Sequence, residues 1–325
     1  MHPSFKKMDM KIIGTGSALP SLVVTNDMLS EFLDTNNDWI VTRTGINQRR
    51  IISNETLVEL AASAAMRALE NAKLEATDID FIICANVANQ YVTPGLSCII
   101  QGEIGAKCPC VDINSACSGF LFAMDISDAY IKRGTYKNVL IICADELSKI
   151  VNWNTRDTSV LFGDGAGAIV VSQGDNLRSI RVATTSAVEP LFCIREIGNT
   201  PFCKIEAVAV EGLSMNGKDV YKMAVNAAIN DIKTVMTNAD VTQKEISLYL
   251  LHQANLRILE TIREYLEEKD EKFPKNIHKY GNTSAASIPI LLDEMNRSGQ
   301  IKKGNLLVMC AFGAGFSSGA CVLEW

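Results

Sequence analysis

One order of elements occurs twice along this chain, and that repetition limits the possible folds more than any other feature. Thr56-Leu-Val-Glu59 reads as a capping box, and Leu57, Leu60, Ala61, Ala64, Ala65 and Leu69 then recur on one face at helical spacing, so a helix is expected to about Ala72. After Asp78, Ile79-Asp-Phe-Ile-Ile-Cys-Ala85 has the pattern of a buried strand leading into the loop Asn86–Pro94. The same order returns with the amphipathic helix Val220–Met236, the polar turn Asn238-Ala-Asp-Val-Thr242 and the strand Ile246–Leu251. Glycine turns ahead of a closing strand also recur: Leu161-Phe-Gly-Asp-Gly-Ala-Gly-Ala-Ile-Val-Val171 is echoed by Ala311-Phe-Gly-Ala-Gly-Phe-Ser-Ser-Gly-Ala-Cys-Val-Leu323.

A duplicated α/β unit predicts a functional site at the interface of its halves. The boundary is expected between Ser172 and Gly212, dividing the chain into 1–175 and 176–325. The stretch around Pro190, Cys193, Pro201 and Cys203 has no clear periodicity, and no elements are assigned there. A length of 325 residues suits one large core or two packed halves, and 47% apolar with 21% charged residues is ordinary for a soluble globular enzyme.

A formal charge of -6 argues against a general nucleic-acid binder but leaves room for a local basic patch that meets an acidic partner. Apolar runs such as Val139–Cys143 are far shorter than a membrane span, so no membrane partner is expected. Met1–Met10 is followed by a Gly/Ser/Thr/Pro segment instead of an apolar run, which does not match a secretory signal. A cytoplasmic protein is the expectation. The ten cysteines are scattered through strand-like stretches (Cys84, Cys98, Cys143, Cys310, Cys321) and read mostly as reduced packing residues. Cys108-Pro-Cys110 is the only close pair, and His2, His252 and His278 show no zinc spacing, so no metal is expected.

Three short contexts carry chemistry: Asp112-Ile-Asn-Ser-Ala-Cys-Ser-Gly-Phe120, Leu251-His-Gln-Ala-Asn-Leu-Arg257 and Tyr280-Gly-Asn-Thr-Ser-Ala-Ala-Ser287. Cys117 falls at a strand-to-helix turn, since Phe120, Leu121, Met124, Ile126, Ala129 and Tyr130 continue as an apolar helix. A helix N-terminus there would lower the thiol pKa. Singly, a buried cysteine is more often packing, a histidine ending a strand more often a satisfied core residue, and Asn282 more often a turn residue. Together, Cys117, His252 and Asn282 read as an acyl-accepting thiol with two oxyanion donors. Decarboxylation of a malonyl thioester places negative charge on the thioester oxygen, and a neutral imidazole N–H and a carboxamide N–H are the donors that charge needs. A glutamate at either position would repel it.

With these contexts, nearly the whole sequence resembles β-ketoacyl-(acyl-carrier-protein) synthase III, the condensing enzyme that initiates fatty acid synthesis, in the thiolase-fold superfamily. The resemblance implies two duplicated α/β halves packed as a layered αβαβα sandwich, the nucleophilic cysteine in 1–175 and the histidine and asparagine in 176–325. It implies a ping-pong reaction without a bound cofactor. Cys117 would take an acyl group from acyl-CoA. Malonyl carried on acyl carrier protein would then decarboxylate against His252 and Asn282, and the carbanion would attack the Cys117 thioester to give a 3-oxoacyl carrier protein. The backbone N–H groups of Cys117 and Ala314 would form a second oxyanion hole, with Phe312 beside the thioester.

Further positions carry over by the same similarity. Asn37-Asp-Trp-Ile-Val-Thr-Arg-Thr-Gly-Ile46 matches a coenzyme A segment, giving Trp39 for adenine stacking and Arg43 for phosphate; Arg156 matches a second stacking residue. Lys222 and Arg257 match basic positions presented to the carrier protein. Thr93 matches a position from which a partner subunit closes the acyl pocket, often with phenylalanine, and its smaller side chain implies a longer or bulkier primer than acetyl. Leu147 and Phe162 would line that pocket. Family members form homodimers through their N-terminal halves.

Asn152, Thr155 and Lys218 depart from the family pattern near the coenzyme A site, and 183–211 lacks the Gly/Asp-rich pattern expected there. A thiolase would need a second cysteine at Ala311; Cys310 lies one residue earlier and so points to the opposite face of a strand. A specialised-metabolism relative with an unusual primer or acceptor, and a noncatalytic carrier-binding scaffold, are the remaining alternatives.

Overall fold

The computed structural model of the chain describes residues 9–194, 201 and 212–325. Met1–Met8 of the segment read for a leader, and Cys203 of the unassigned stretch, lie outside the described residues.

The first half contributes β1 (Asp9–Ala18), β2 (Leu22–Thr25), β3 (Gln48–Ile51), β4 (Phe81–Ala85), β5 (Cys110–Ile113), β6 (Asn138–Asp145) and β7 (Gly165–Gly174). The second contributes β8 (Leu177–Ala187), β9 (Leu191–Cys193), β10 (Leu213–Met215), β11 (Ile246–Leu251), β12 (Leu306–Gly313) and β13 (Gly315–Glu324). One sheet runs β1-β7-β6-β4-β5, and the other, read in the same sense, runs β8-β13-β12-β11. In each, an outer strand is antiparallel to a closing strand, which is antiparallel to a central strand with a parallel neighbour. Among the described residues, the fifth strand, β5, has no counterpart in the second sheet.

Five layers result. The helices Leu57–Ala72 and Leu96–Ile104 cover the outer face of the first sheet, and Gly217–Asn238 with Leu256–Tyr265 covers that of the second. Between the sheets lie the helices Gly119–Lys132 and Ser287–Arg297. They share one apolar core with both inner faces, including Phe120, Met124, Leu291, Ile141 and Met309. This is the expected αβαβα sandwich.

Local chemistry explains the element ends. Thr56 Oγ1 accepts from the Glu59 N–H at 3.2 Å and Glu59 Oε2 accepts from the Thr56 N–H at 2.7 Å, completing the capping box. The helix stops at Ala72, where Lys73 turns left-handed. The strand expected over Ile79–Ala85 begins only at Phe81. Asp80 instead turns its carboxylate onto the N–H groups of Lys137 (2.9 Å) and Asn138 (2.8 Å), capping the start of β6. The second long helix is extended at its start to Gly217 by Asn216, whose side chain accepts from the Asp219 N–H at 3.3 Å.

The helix Leu57–Ala72 presents alanines to β1, and that strand answers with glycines. A Cβ at Gly16 would stand 2.2 Å from the Ala64 carbonyl oxygen, and one at Gly14 the same 2.2 Å from that of Ala68. Helix and sheet therefore touch backbone to backbone. Gly16→Ala is expected to lower stability in urea unfolding by about 1–3 kcal/mol. Gly102→Ala, in a helix with nothing within 4 Å of the added atom, should instead gain about 0.5–1 kcal/mol; equal responses would contradict the backbone contact.

Candidate active site

Chain entry into the central helix Gly119–Lys132 creates the nucleophile turn. After β5, a 3-10 turn at Ala116–Ser118 carries Cys117, with Ala116 held left-handed at φ 46. Such a conformation costs a non-glycine residue about 1–3 kcal/mol and must be held by its surroundings. The Ser118 hydroxyl donates to the Ser115 carbonyl at 2.7 Å and lies 2.8 Å from the Ser317 hydroxyl, which also contacts the Ser115 and Ala314 carbonyls at 3.1 and 2.9 Å. These contacts fasten the turn to the β12–β13 hairpin. There, a Cβ at Gly313 would fall 2.6 Å from the Cys117 nitrogen.

β11 delivers His252 beside this hairpin. Its N–H donates to the Cys310 carbonyl at 2.8 Å, and its ring meets Phe312 edge-on at 5.5 Å. The imidazole is 1% exposed, and burial pushes its pKa down to about 3, so it is neutral across the ordinary pH range. Nδ1 is buried without a partner among the described residues. An unpaired N–H there would be worse than a bare acceptor, which places the ring proton on Nε2.

Asn282 is held by backbone pairing with the first half. Its N–H donates to the Leu161 carbonyl at 2.9 Å, and its carbonyl accepts from the Gly163 N–H at 3.0 Å. Oδ1 accepts from the Ser284 N–H at 2.9 Å, which assigns the carboxamide and leaves Nδ2 as the free donor.

Cys117, His252 and Asn282 line one cavity of about 490 Å³, together with Phe312, Ala314, Leu147, Phe162, Arg43 and Arg257. β9 and β10, from the stretch left unassigned in the sequence, add Leu191, Phe192, Leu213 and Met215 to its wall. Lys218 and Tyr221 also line it; Lys222 is exposed one turn further along their helix and does not. Trp39 and Arg156 stand outside the cavity. The Arg156 and Arg43 guanidinium groups lie 4.6 and 4.4 Å from the Trp39 ring centre, so the three are stacked together. Thr93 is exposed on the loop between β4 and the helix Leu96–Ile104 and does not reach this cavity.

One expectation is overturned. The thiol of Cys117 is pushed up to about 12, chiefly by burial, although a contact from Ser284 lowers it. Its surface is only partly covered because it faces the cavity, but protein surrounds that cavity closely enough for desolvation to outweigh the helix terminus. Sequence reasoning also passed over Ser284, whose turn packs against the one that carries Cys117, and Asp145, whose charge acts on the thiol. An acid ending the apolar run Val139–Ala144 was the available sign. Among the described residues, no cluster of His, Cys, Asp and Glu could hold a metal ion, and no helix is long and apolar enough to cross a membrane.

The sandwich and the cysteine turn of its first half define a condensing enzyme of the thiolase fold. Residues 111–187 match the family model for 3-oxoacyl-(acyl-carrier-protein) synthase III, and 236–325 match the model for its C-terminal region. The β-ketoacyl-(acyl-carrier-protein) synthase III of Clostridium acetobutylicum is 41% identical over 320 residues, covering 97% of this chain and 98% of that one. The crystal structure of the Aquifex aeolicus 3-oxoacyl-(acyl-carrier-protein) synthase III superposes with TM-score 0.90 at 41% identity, covering 97% of this chain and 100% of that one. The priming β-ketosynthase of the R1128 polyketide pathway superposes with the same TM-score of 0.90 at 30% identity, covering 99% and 98%. The chain belongs to the β-ketoacyl-(acyl-carrier-protein) synthase III family.

The buried imidazole generates a stability prediction. Unfolded, His252 takes a proton as pH falls below about 6.5; folded, it resists until about 3. The unfolded state binds more protons in that window, so this residue's contribution favours unfolding increasingly as pH falls from about 6.5 toward 3. Thermal melts of His252→Gln are expected to show a shallower loss of Tm over that window than the parent. An unchanged slope would mean the histidine titrates normally in the fold.

Proposed function

We propose that this enzyme condenses an acyl group, received from acyl-CoA on Cys117, with malonyl-acyl carrier protein, giving a 3-oxoacyl carrier protein, coenzyme A and CO2, the initiating step of fatty acid synthesis. The observation that carries the reading is the convergence of Cys117, His252 and Asn282 on one apolar-walled cavity in a chain of this family. No resident cofactor enters the chemistry.

In the first half-reaction the Cys117 sulfur attacks the acyl-CoA carbonyl. The oxyanion forms against the Cys117 and Ala314 N–H groups, a role supported by the closeness of the Gly313 backbone to the Cys117 nitrogen. In the second, loss of CO2 from the malonyl group leaves an enolate whose oxygen meets His252 Nε2–H and Asn282 Nδ2–H. Both donors are neutral, so they stabilise the charge without protonating the carbanion outright. Its carbon attacks the Cys117 thioester, and the thiolate leaves. Leu147 and Phe162 bound the space for the acyl chain.

Trp39, Arg43 and Arg156 are assigned to the coenzyme A nucleotide. With Arg156 4.6 Å from the Trp39 ring centre, a base inserted between them would displace the guanidinium by about one ring thickness, ~3.5 Å. Arg257, Lys222 and Lys218 supply the basic rim for an acidic carrier protein. Among the described residues β5 ends the first sheet with an unpaired edge, the natural seat for the same strand of a second copy in a homodimer. Thr93 of the partner subunit would then close the acyl pocket, leaving room for a primer bulkier than acetyl. The likeness to the R1128 priming ketosynthase supports a second reading, an unusual primer in specialised metabolism, and the primer distinguishes the two.

Intact mass after exposure to acyl-CoAs from acetyl to medium-chain, branched and aromatic should show one favoured adduct, absent in Cys117→Ala. His252→Ala and Asn282→Ala should still acylate yet lose condensation by about 10²–10³ each. A strict acetyl preference would contradict the inference from Thr93, and acylation of Cys117→Ala would remove the nucleophile assignment. Trp39→Ala should raise KM for acyl-CoA by roughly tenfold with little change in kcat, as expected when binding contacts are common to ground and transition states. A fall in kcat alone would place Trp39 elsewhere.

A further inference from the structure

Asp145 ends β6 after a wholly apolar run and is 0% exposed. Its Oδ1 accepts from the N–H groups of Val87 at 2.6 Å and Ala88 at 2.9 Å, which fixes the loop after β4. Among the described residues, its buried Oδ2 has no hydrogen bond of ordinary geometry. An asparagine could accept the same two bonds through its Oδ1 without a buried charge, although its Nδ2 would then take the unpartnered position. The two loop bonds need only one oxygen, so they give no reason by themselves for the second.

Ser284 gives one. It opens the 3-10 turn Ser284–Ala286, which packs against both β6 and the turn that carries Cys117. Its backbone is left-handed at φ 55, and its N–H is engaged by Asn282 Oδ1, so the side chain is held in place. Its turn thus lies between the Cys117 turn and the end of β6, and the Ser284 side chain acts to lower the pKa of both the Cys117 thiol and the Asp145 carboxyl. Three packed elements thus bring a thiol, a hydroxyl and a carboxylate with a vacant oxygen into one buried cluster.

We propose that Asp145 is the proton acceptor for Cys117, with Ser284 as the hydroxyl that bridges the thiol to Asp145 Oδ2. Its chemical setting rests on the condensation reading above. As the Cys117 sulfur bonds to the acyl carbonyl, its proton passes to Ser284 Oγ, and the Ser284 hydroxyl proton passes to Asp145 Oδ2. The acyl–sulfur bond to coenzyme A breaks, and that thiolate leaves to take a proton from water. Asp145 keeps its proton while the acyl group sits on Cys117. When the malonyl-derived carbanion expels the Cys117 thiolate, the proton returns through Ser284 to sulfur. Charge and protons balance over the two half-reactions.

Burial pushes Asp145 up to about 6, which leaves it ionised near neutrality and a stronger base than a solvated carboxylate. With the thiol near about 12, transfer accompanies attack and does not precede it. The other titratable groups facing Asp145 are Cys84 on β4, Cys143 on its own strand and Asp164 ahead of β7. Both thiols are held well above their ordinary range by burial. Asp164 is occupied by the Ser148 hydroxyl and the N–H groups of Ser148 and Ile52.

The test is the rate of Cys117 alkylation by iodoacetamide in the free enzyme, located by peptide mass, from about pH 5 to about pH 10. The parent rate should rise through an ionisation near about 6 to a plateau. Asp145→Asn and Ser284→Ala should lose that limb and react on the order of 10²-fold more slowly near neutral pH. Simple electrostatics predicts the opposite for Asp145→Asn, because the Asp145 charge raises the thiol pKa and its removal should speed alkylation. An equal or faster Asp145→Asn therefore overturns the proposal. If that variant does not fold, Ser284→Ala, which keeps the Asp145 contacts to Val87 and Ala88, decides alone: retention of the limb overturns the relay. No acyl donor is present, so failure here leaves the condensation reading intact. Failure of condensation with the limb intact would sink only that reading.

Discussion

Two backbone hydrogen bonds between Asn282 and the segment Leu161–Gly163 hold the halves in register at the site, and the remaining geometry follows from them. They require the chains to approach without side chains in between. A Cβ at Gly163 would stand 2.2 Å from the Tyr280 carbonyl oxygen, and one at Gly281 2.7 Å from that of Leu161. Gly281 is also left-handed at φ 66, a conformation that a glycine adopts without strain. Behind the bridge, Arg49 is wholly buried and donates to the Val160 carbonyl at 2.8 Å and to the Val24 carbonyl and Asn26 Oδ1 at 3.2 and 2.9 Å. One guanidinium thus ties the β2–β3 ribbon to the loop that carries Phe162. The Asn282 carboxamide, the Phe162 side of the cavity and the ribbon next to the Trp39 helix share a single support.

Burial sets the electrostatics of the site, and it acts on each group in the same sense: toward the neutral form. The thiol is driven up, the imidazole down and the Asp145 carboxyl up. For His252 that is what an oxyanion donor needs, since an imidazolium would hand its proton to the carbanion. For Cys117 the same effect is a handicap, because a thiol is a poor nucleophile. A water-poor cavity that favours decarboxylation therefore disfavours acylation unless the thiol proton has somewhere to go. Asp145, intermediate in basicity and joined through Ser284, resolves that conflict within the same environment that creates it.

Much of this was legible in the sequence where the determining interactions are local. The Thr56 capping box, the helix end at Ala72 and the strand before His252 depend on neighbours along the chain, and the repeated order of elements revealed two related sheets. Asp80 was misread because its partners, Lys137 and Asn138, lie on a different strand. The thiol pKa was misjudged because the helix terminus is visible in the sequence, whereas the desolvation opposing it depends on what both halves place around the cavity. Ser284 and Asp145 went unnoticed for the same reason: one sits in each half, and only packing brings them to Cys117. β9 and β10 escaped because each is three residues long, too short to show a period.

The departures near Arg156 have a local consequence. Beside Asn152 and Thr155, which offer it no carboxylate, the Arg156 guanidinium donates to the Asp34 carbonyl at 2.5 Å and lies 3.6 Å from its carboxylate. It lies 4.6 Å from the Trp39 ring centre, the position proposed above for a stacked base. The ion pair is solvent-facing, with the Asp34 side chain fully exposed, and such pairs contribute only about 0–1 kcal/mol. A base stacking on Trp39 gains comparable or greater energy and retains Arg156 on its far face. On the proposed assignment of Trp39 and Arg156 to the nucleotide, binding there would exchange one partner stacked on Trp39 for another.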